Sequence, residues 1–286
     1  MPSWWPSSDA PLMGIDLGPR QARFLACARH GQSWRIERWA LQAIPPDAME
    51  AGRILQFEAL VRVLREGMVS AGGGPRIALT LPPQTARTQV LTVPASLRPW
   101  GWKRWLSERA EELGQMPIDA LVYDVQMLTR TPLTLRLSVC PLEVVQDWQG
   151  LAEAAGLELV LIDDRSRVMH LALQALGMAP DGAATLALAE VEQERCHIHL
   201  WQAGEPAAQW EYSGPEDAHL PSSGGWLIAS DEEAERWSIR LAQDAGGHWP
   251  LLDPLSTLSW PEDLARPADA GTYLVALGLA LRGWRH

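Results

Sequence analysis

The sequence predicts an α/β (α+β) protein that is built in two halves. Strand-like runs of apolar residues, joined by short turns, open each half, first at 12–41 and again at 184–214. Segments with apolar residues at helical spacing follow these runs, and the clearest of them lies at 53–71. The 286 residues are enough for one large domain or two modest ones, each with a sizeable core.

The predicted elements alternate along the chain after a tail of loose composition at 1–10. We expect strands at 12–17, 22–28, 34–41, 76–82, 87–93, 121–128, 133–141, 157–163, 184–191, 196–202 and 208–214. We expect helices at 53–71, 99–114, 142–156, 163–177, 231–246 and 270–284, and an irregular segment at 248–263.

Glycine and proline set the ends of several of these helices. The helix at 99–114 begins with Pro99 and ends with Gly114, as helices often do. The helix at 53–71 stops at the run 72–75, which reads Gly-Gly-Gly-Pro. A phosphate-binding loop leads from a strand into a helix and carries a lysine, whereas this run leads from a helix into a strand. We therefore interpret it as a helix stop.

Composition excludes several classes of partner. The formal net charge is −11, and the basic residues are scattered, which argues against a nucleic-acid or anionic-membrane surface. The 3 cysteines are far apart, so neither a disulfide framework nor a zinc ribbon is indicated, and a reducing cytoplasm fits best. The longest apolar stretch, 273–281, is far shorter than the ~20 residues that a membrane-spanning helix needs.

Three groups of residues suggest chemistry, and each has a structural alternative. Asp16 ends a buried strand before a tight turn, where it either holds a metal and phosphate or closes the turn. Asp163 and Asp164 are candidates for acid/base work, although acidic residues ahead of a helix more often cap it. His197 and His199 share a strand face without an evident third metal ligand, so an exposed strand face is the better interpretation.

No motif of a known enzyme class occurs in the sequence. We find no GxSxG, HExxH or Walker sequence, and no nucleophile triad can be assembled from the spacing. Trp102, Trp105 and Leu106 form an apolar stripe on the helix at 99–114, which is typical of core packing but also suits a peptide groove.

Five short segments in order resemble one family. They are "GIDLG" at 14–18, "LTLPP" at 79–83, "AAGLELVLIDDRSRVMHLALQAL" at 154–176, "LLDPLSTL" at 251–258 and "YLVALGLALRGW" at 273–284. Together they resemble the actin-like superfamily and, within it, the PilM family of type IV pilus assembly proteins, including its short HofM- and ComA-like members. The resemblance implies an actin-like ATPase fold of two ribonuclease-H-like halves. On it we predict subdomains at 11–85, 86–163 (inserted) and 164–286, the last with a reduced outer part.

The resemblance also implies where a nucleotide site would lie. In actin-like ATPases two hairpins, one from each half, hold the phosphates and the metal. Asp16 and Gly18 match the first hairpin, but Pro19 follows and has no N–H to donate. In the second half Glu190 stands where an Asp is usual, and no glycine follows it until Gly204. The pair Gly224–Gly225 is the candidate counterpart of the glycines that contact the nucleoside, although its surroundings do not match the family pattern. We therefore expect a degenerate site with no catalytic residue, no bound metal and no ATP or Mg cofactor.

The function implied by the resemblance is that of a non-catalytic cytoplasmic scaffold. It would lie against the inner membrane and bind the N-terminal cytoplasmic tail of a PilN-like membrane protein, in a type IV pilus or a DNA-uptake pilus. The tail would be extended in a groove between the first two subdomains, with Trp102 and Trp105 as candidate contacts. Two alternatives remain open: an ATP-binding or ATP-hydrolysing actin-like enzyme, and a type II secretion adaptor similar to GspL.

Overall fold

A computed structural model describes most of the chain. The described residues are 12–31, 33–50, 52–82, 85–179, 185–192, 195–213, 225–229, 236–237, 239–240, 243 and 249–283. The predicted tail at 1–10 and most of the predicted helix at 231–246 lie outside these ranges. Within them, no helix combines the length and the apolar character that crossing a bilayer requires.

The described elements follow the predicted order closely. The strands are β1 (Met13–Leu17), β2 (Gln21–His30), β3 (Ser33–Ala43), β4 (Met49–Glu50), β5 (Arg53–Ile54), β6 (Arg76–Thr80), β7 (Arg87–Thr92), β8 (Leu121–Arg130), β9 (Leu133–Pro141), β10 (Glu158–Asp163), β11 (Thr185–Glu192), β12 (Arg195–Gln202), β13 (Glu205–Tyr212) and β14 (Trp226–Ile228). The helices are α1 (Phe57–Ala71), α2 (Trp102–Gly114), α3 (Leu142–Ala154), α4 (Arg165–Ala175) and α5 (Leu274–Arg282).

The first sheet has five strands in the order β10-β6-β1-β2-β3. The first three strands of the chain are antiparallel neighbours, whereas β6 and β10 run parallel to β1. Helix α1 packs its apolar face on β2 and β3, and it ends at Gly72, whose φ of 62° is a left-handed conformation that glycine adopts without strain. The predicted helix stop at the glycine run is confirmed.

A smaller sheet, in the order β7-β9-β8, forms the inserted unit with α2. We predicted that this unit extends to residue 163, and the structure corrects that boundary to 141. Strand β10 pairs with β6 in the first sheet, and Trp148 and Leu151 of α3 are buried in the core beneath α1. The pairing of β10 with a buried parallel strand satisfies its backbone groups there, so 142–163 belongs with the first sheet.

The second sheet contains four described strands in the order β13-β12-β11-β14. Helices α4 and α5 join the two sheets through one large apolar core that includes Leu25 of β2, Val168 of α4 and Leu188 of β11. Glycines allow the backbones to come this close. A Cβ on Gly14 would lie 2.1 Å from the Ala276 carbonyl oxygen, and one on Gly278 would lie 2.2 Å from that of Val168.

Candidate functional site

Asp16 lies near the end of β1, and its side chain is completely buried. Its neighbour across the hairpin is Arg23, whose Nη1 is 3.8 Å from Asp16 Oδ2. In the turn between β1 and β2, the N–H of Gly18 donates to the Gln21 carbonyl oxygen at 3.0 Å. In a phosphate-binding hairpin this backbone N–H would be free to donate to the ligand, whereas here it donates within the turn.

Arg165 joins Asp16 to Glu190 of the second half. Its Nε donates to Glu190 Oε2 at 3.2 Å, and its Nη2 lies 3.4 Å from Asp16 Oδ2. Shorter contacts connect Nη1 to Asp16 Oδ1 and Nη2 to Glu190 Oε1. The two carboxylates that the sequence assigned to opposite hairpins thus face the same guanidinium.

Arg165 was not among the residues predicted from the sequence, although one signal for it exists. Arg165 is the first residue of α4, directly after the capping residue Asp164. A cation in the first turn of a helix faces the positive end of the helix dipole, which is unfavourable. An arginine at that position therefore indicates that nearby anions hold it there, and here those anions are Asp16 and Glu190.

Glu190 and Arg165 hold each other in their charged forms. Burial by itself would raise the pKa of Glu190, but the Arg165 charge, with help from His199, outweighs it and holds that pKa well below its ordinary value. Burial would likewise lower the pKa of Arg165, and the charges of Asp16 and Glu190 reverse this and hold it well above the ordinary value. The cluster is therefore a buried group of one cation and two carboxylates, in which Arg165 is shared by Asp16 of the first half and Glu190 of the second.

These residues do not fit a magnesium nucleotide. Both carboxylates that would hold the metal, through water or directly, are already occupied by Arg165. Gly18 donates within its own turn and Pro19 has no N–H, so the first hairpin lacks two of its phosphate donors. Among the described residues, no group of three or more His, Cys, Asp or Glu side chains is arranged to hold a metal ion.

The glycine pair named from the sequence is only half described. Gly224 lies outside the described residues. Gly225 precedes β14 and packs against β11, because a Cβ there would lie 2.4 Å from the Ala187 carbonyl oxygen. The register pairs Ile228, not Gly225, with Glu190, so Gly225 lies away from the Asp16–Arg165–Glu190 cluster.

The pair Asp163–Asp164 caps α4 and anchors α5. Asp164 Oδ1 accepts a hydrogen bond from the Arg167 backbone N–H at 3.0 Å, which is the capping role favoured from the sequence. Asp163 accepts from Arg282 Nε at 2.9 Å and lies 3.6 Å from Arg167 Nη1. Both carboxylates therefore have structural partners.

The prediction of an exposed histidine face on β12 is wrong for His199. Its side chain is 5% exposed, its ring stacks on Trp201 with 5.9 Å between centroids, and its Nε2 is 3.7 Å from Glu190 Oε2. The reason is that β12 is an inner strand, covered by β11 and β13 on its two edges and by α4 on this face. Burial lowers the pKa of His197, on the same side of the strand, below its ordinary value.

A cleft of about 170 Å³ lies where the inserted unit meets the first sheet. Its apolar lining comes from Leu81, Val122, Tyr123, Val139, Val145 and Ile162, and its charged lining from Asp124, Arg136, Asp163, Asp164 and Arg167. Pro206 of β13 adds a wall from the second half. Pockets for drug-sized ligands usually have roughly 300–1,000 Å³, so this cleft has room for one or two side chains of an extended segment.

The two candidate tryptophans lie on α2, and neither lines this cleft. Their rings meet edge to face with 6.4 Å between centroids. Trp105 packs against the core of the inserted unit, which contains Leu91 and Leu137. Core packing therefore accounts for Trp105. Trp100, just before α2, is instead 82% exposed.

Comparisons with known proteins agree with this architecture. Over nearly its whole length the chain resembles a solved structure described as the PilM–PilN type IV pilus biogenesis complex, with a TM-score of 0.79, 15% identity, and coverage of 98% of this chain and 100% of that chain. The ethanolamine utilization protein EutJ from Carboxydothermus hydrogenoformans matches with a TM-score of 0.52 and 13% identity, and 96% of this chain and 91% of that chain are covered. The predicted actin-like fold class is confirmed.

At the level of sequence, residues 14–208 match the family described as Type IV pilus assembly protein PilM. The match covers the first sheet, the inserted unit, α4 and the first strands of the second sheet, and therefore more than half of the 286 residues. The chain belongs to the PilM family of type IV pilus assembly proteins.

Proposed function

We propose that this protein is a non-catalytic scaffold that binds the N-terminal cytoplasmic tail of a PilN-like membrane protein. The observation that carries the proposal is the Arg165 guanidinium between Asp16 and Glu190. A side chain that neutralises both hairpin carboxylates takes the place where a metal and phosphate would be held in an actin-like ATPase. The role of such a family member in pilus assembly then rests on binding other proteins.

The cleft between the inserted unit and the first sheet is the proposed binding site for the tail. It lies between the first two subdomains, and its partly exposed apolar side chains, such as Val122 and Tyr123, suit alternate side chains of an extended peptide. The resemblance to a PilM–PilN complex supports a PilN-like partner. Binding to this tail would hold the protein at the cytoplasmic face of the inner membrane.

Calorimetric titration of the purified protein tests both parts of the proposal. One titrant is Mg-ATP, and the other is a synthetic peptide of the cytoplasmic tail of the PilN-like protein encoded with this chain. We expect heat of binding from the peptide and none from Mg-ATP. Turnover of ATP, or micromolar binding that Asp16→Ala abolishes, would contradict the non-catalytic part and support the enzyme alternative.

Two matched variants locate the peptide site. Val122 lines the cleft and is 39% exposed, so Val122→Asp places a charge in the cleft without burying it in a core. We expect roughly tenfold weaker peptide binding, because the carboxylate loses water when the apolar peptide covers it. Val69→Asp, on the 81% exposed position of α1, is the control and should bind as the wild type does. Equal affinities for the two variants would remove the cleft from the proposal.

A further inference from the structure

Arg136 is a buried cation on the wall of the cleft. It lies on β9, and its side chain is 7% exposed. Its Nη1 donates to Gln126 Oε1 at 2.8 Å, and its Nη2 pairs with the carboxylate of Glu205, the first residue of β13. The inserted unit is thereby tied to the second half through a residue that also lines the cleft.

One N–H of this guanidinium has no partner in the part of the chain that the structure describes. Among the described residues, none accepts a hydrogen bond from Arg136 Nε, and that atom is buried. Buried donors in proteins are nearly always satisfied, since an unmade hydrogen bond there is costly. An occupant of the cleft with an oxygen acceptor near Arg136 would satisfy it.

The charges around Arg136 restrict the chemistry of that acceptor. Glu205 already neutralises the guanidinium, and Asp124, Asp163 and Asp164 line the same cleft. The other cation of the lining, Arg167, already lies 3.6 Å from Asp163, so a carboxylate on the ligand would meet these acidic side chains without an unpaired cation among the described lining residues to balance them. An uncharged carbonyl oxygen meets no such repulsion and accepts the same hydrogen bond.

We propose that Arg136 donates its free N–H to an uncharged carbonyl oxygen of the bound tail, and that Glu205 is a positioning residue that holds Arg136 and excludes acidic segments. This inference rests on the proposed function, because it assumes that the cleft binds the tail. It adds Glu205 to Pro206 as a second residue of β13 that acts at the binding site.

The test uses the full chain and the same tail peptide, with aspartate placed at each peptide position in turn. Arg136→Lys keeps a cation near Glu205 but lacks Nε, and we expect roughly tenfold weaker binding of the unmodified peptide. Glu205→Gln leaves the charge of Arg136 unbalanced. We expect that, at one peptide position, the penalty for aspartate falls by roughly tenfold in Glu205→Gln compared with the wild type.

Glu211→Gln is the matched control. Glu211 lies on the same strand, β13, and pairs with the exposed Arg195 at 3.1 Å, away from the cleft. This variant should bind the whole peptide series as the wild type does. If Glu205 had only a structural role, Glu205→Gln would weaken the binding of all peptides by the same factor. The proposed role instead changes the aspartate penalty at one peptide position relative to the others.

Two outcomes overturn the inference. Arg136→Lys binding as tightly as the wild type would remove the hydrogen bond, and an aspartate penalty unchanged at every position in Glu205→Gln would remove the role of Glu205. If Arg136→Lys does not fold, the Glu205→Gln series decides by itself. Wild-type protein that binds no peptide at all would instead contradict the proposed function, which distinguishes the two failures.

Discussion

At the scale of single residues, Arg165 is the feature that links the two hairpin carboxylates. Its guanidinium satisfies one carboxylate from each half, and all three side chains are buried or nearly so. Asp16 and Glu190 were identified from the sequence, but their common partner was not. In the chain, Arg165 is 149 positions from Asp16 and 25 positions from Glu190, so no local pattern links them.

Removal of Arg165 should be strongly destabilising. In Arg165→Met, Glu190 loses its guanidinium partner and Asp16 keeps only the 3.8 Å contact with Arg23 Nη1, and we expect the free energy of unfolding to fall by about 3–5 kcal/mol. The free energy of unfolding of Arg165→Lys should lie between those of the wild type and Arg165→Met. Lysine keeps the positive charge, but its ammonium cannot reproduce the forked contacts of the guanidinium. Urea unfolding followed by circular dichroism measures the difference.

The control for this prediction is Arg104→Met. Arg104 pairs with Glu108 on α2 at 2.7 Å, but its side chain is 87% exposed, so its loss should leave stability essentially unchanged. Equal stability of Arg165→Met and the wild type would show that the buried cluster is not held by its cation. Partial recovery in a triple variant that adds Asp16→Asn and Glu190→Gln would support the charge-based explanation.

At the scale of elements, two helices and one strand pack with their backbones in contact. Helix α5 lies against β1 at Gly14 and against α4 at Gly278. The sequence predicted all three elements, but it did not indicate which glycines mark the close approach. Glycine at such a point is required by the neighbouring backbone, whereas glycine elsewhere in a helix only weakens it.

Two glycine substitutions test this distinction. In Gly278→Ala the added Cβ would meet the Val168 carbonyl oxygen at 2.2 Å, so α4 and α5 must move apart, and we expect a loss of about 1–3 kcal/mol in the free energy of unfolding. Gly150 lies inside α3, and no atom of the described residues outside this stretch of helix lies within 4 Å of an added Cβ. Gly150→Ala should therefore gain about 0.5–1 kcal/mol. The same direction of change in both variants would contradict this account of the helix contact.

At the scale of the whole molecule, the two sheets share one core. Residues of β2, α4, α5 and β11 belong to the same apolar cluster, and Arg165 adds a charged link at its end. The inserted unit has a separate, smaller core that includes Leu91, Ala110, Leu137 and Val139. The two halves should therefore unfold together, and the inserted unit should open more easily.

Native-state hydrogen exchange at increasing denaturant checks this order. We expect the amides of β1 and β11 to exchange with the same free energy, equal to that of global unfolding, because neither sheet keeps its core without the other. Amides of β7 and β9 should exchange with a lower free energy. Exchange of β11 at clearly lower denaturant than β1 would mean that the second half opens by itself.

The sequence by itself determined the order of the elements, the family and the two hairpin carboxylates. These depend on local periodicity, turn residues and short motifs, which neighbouring residues specify together. Only the tertiary structure decided that Arg165 binds both carboxylates, that residues 142–163 return to the first sheet and that the cleft includes a wall from the second half. Each of these depends on contacts between residues far apart in the chain, where packing and burial rather than local preference determine the partner.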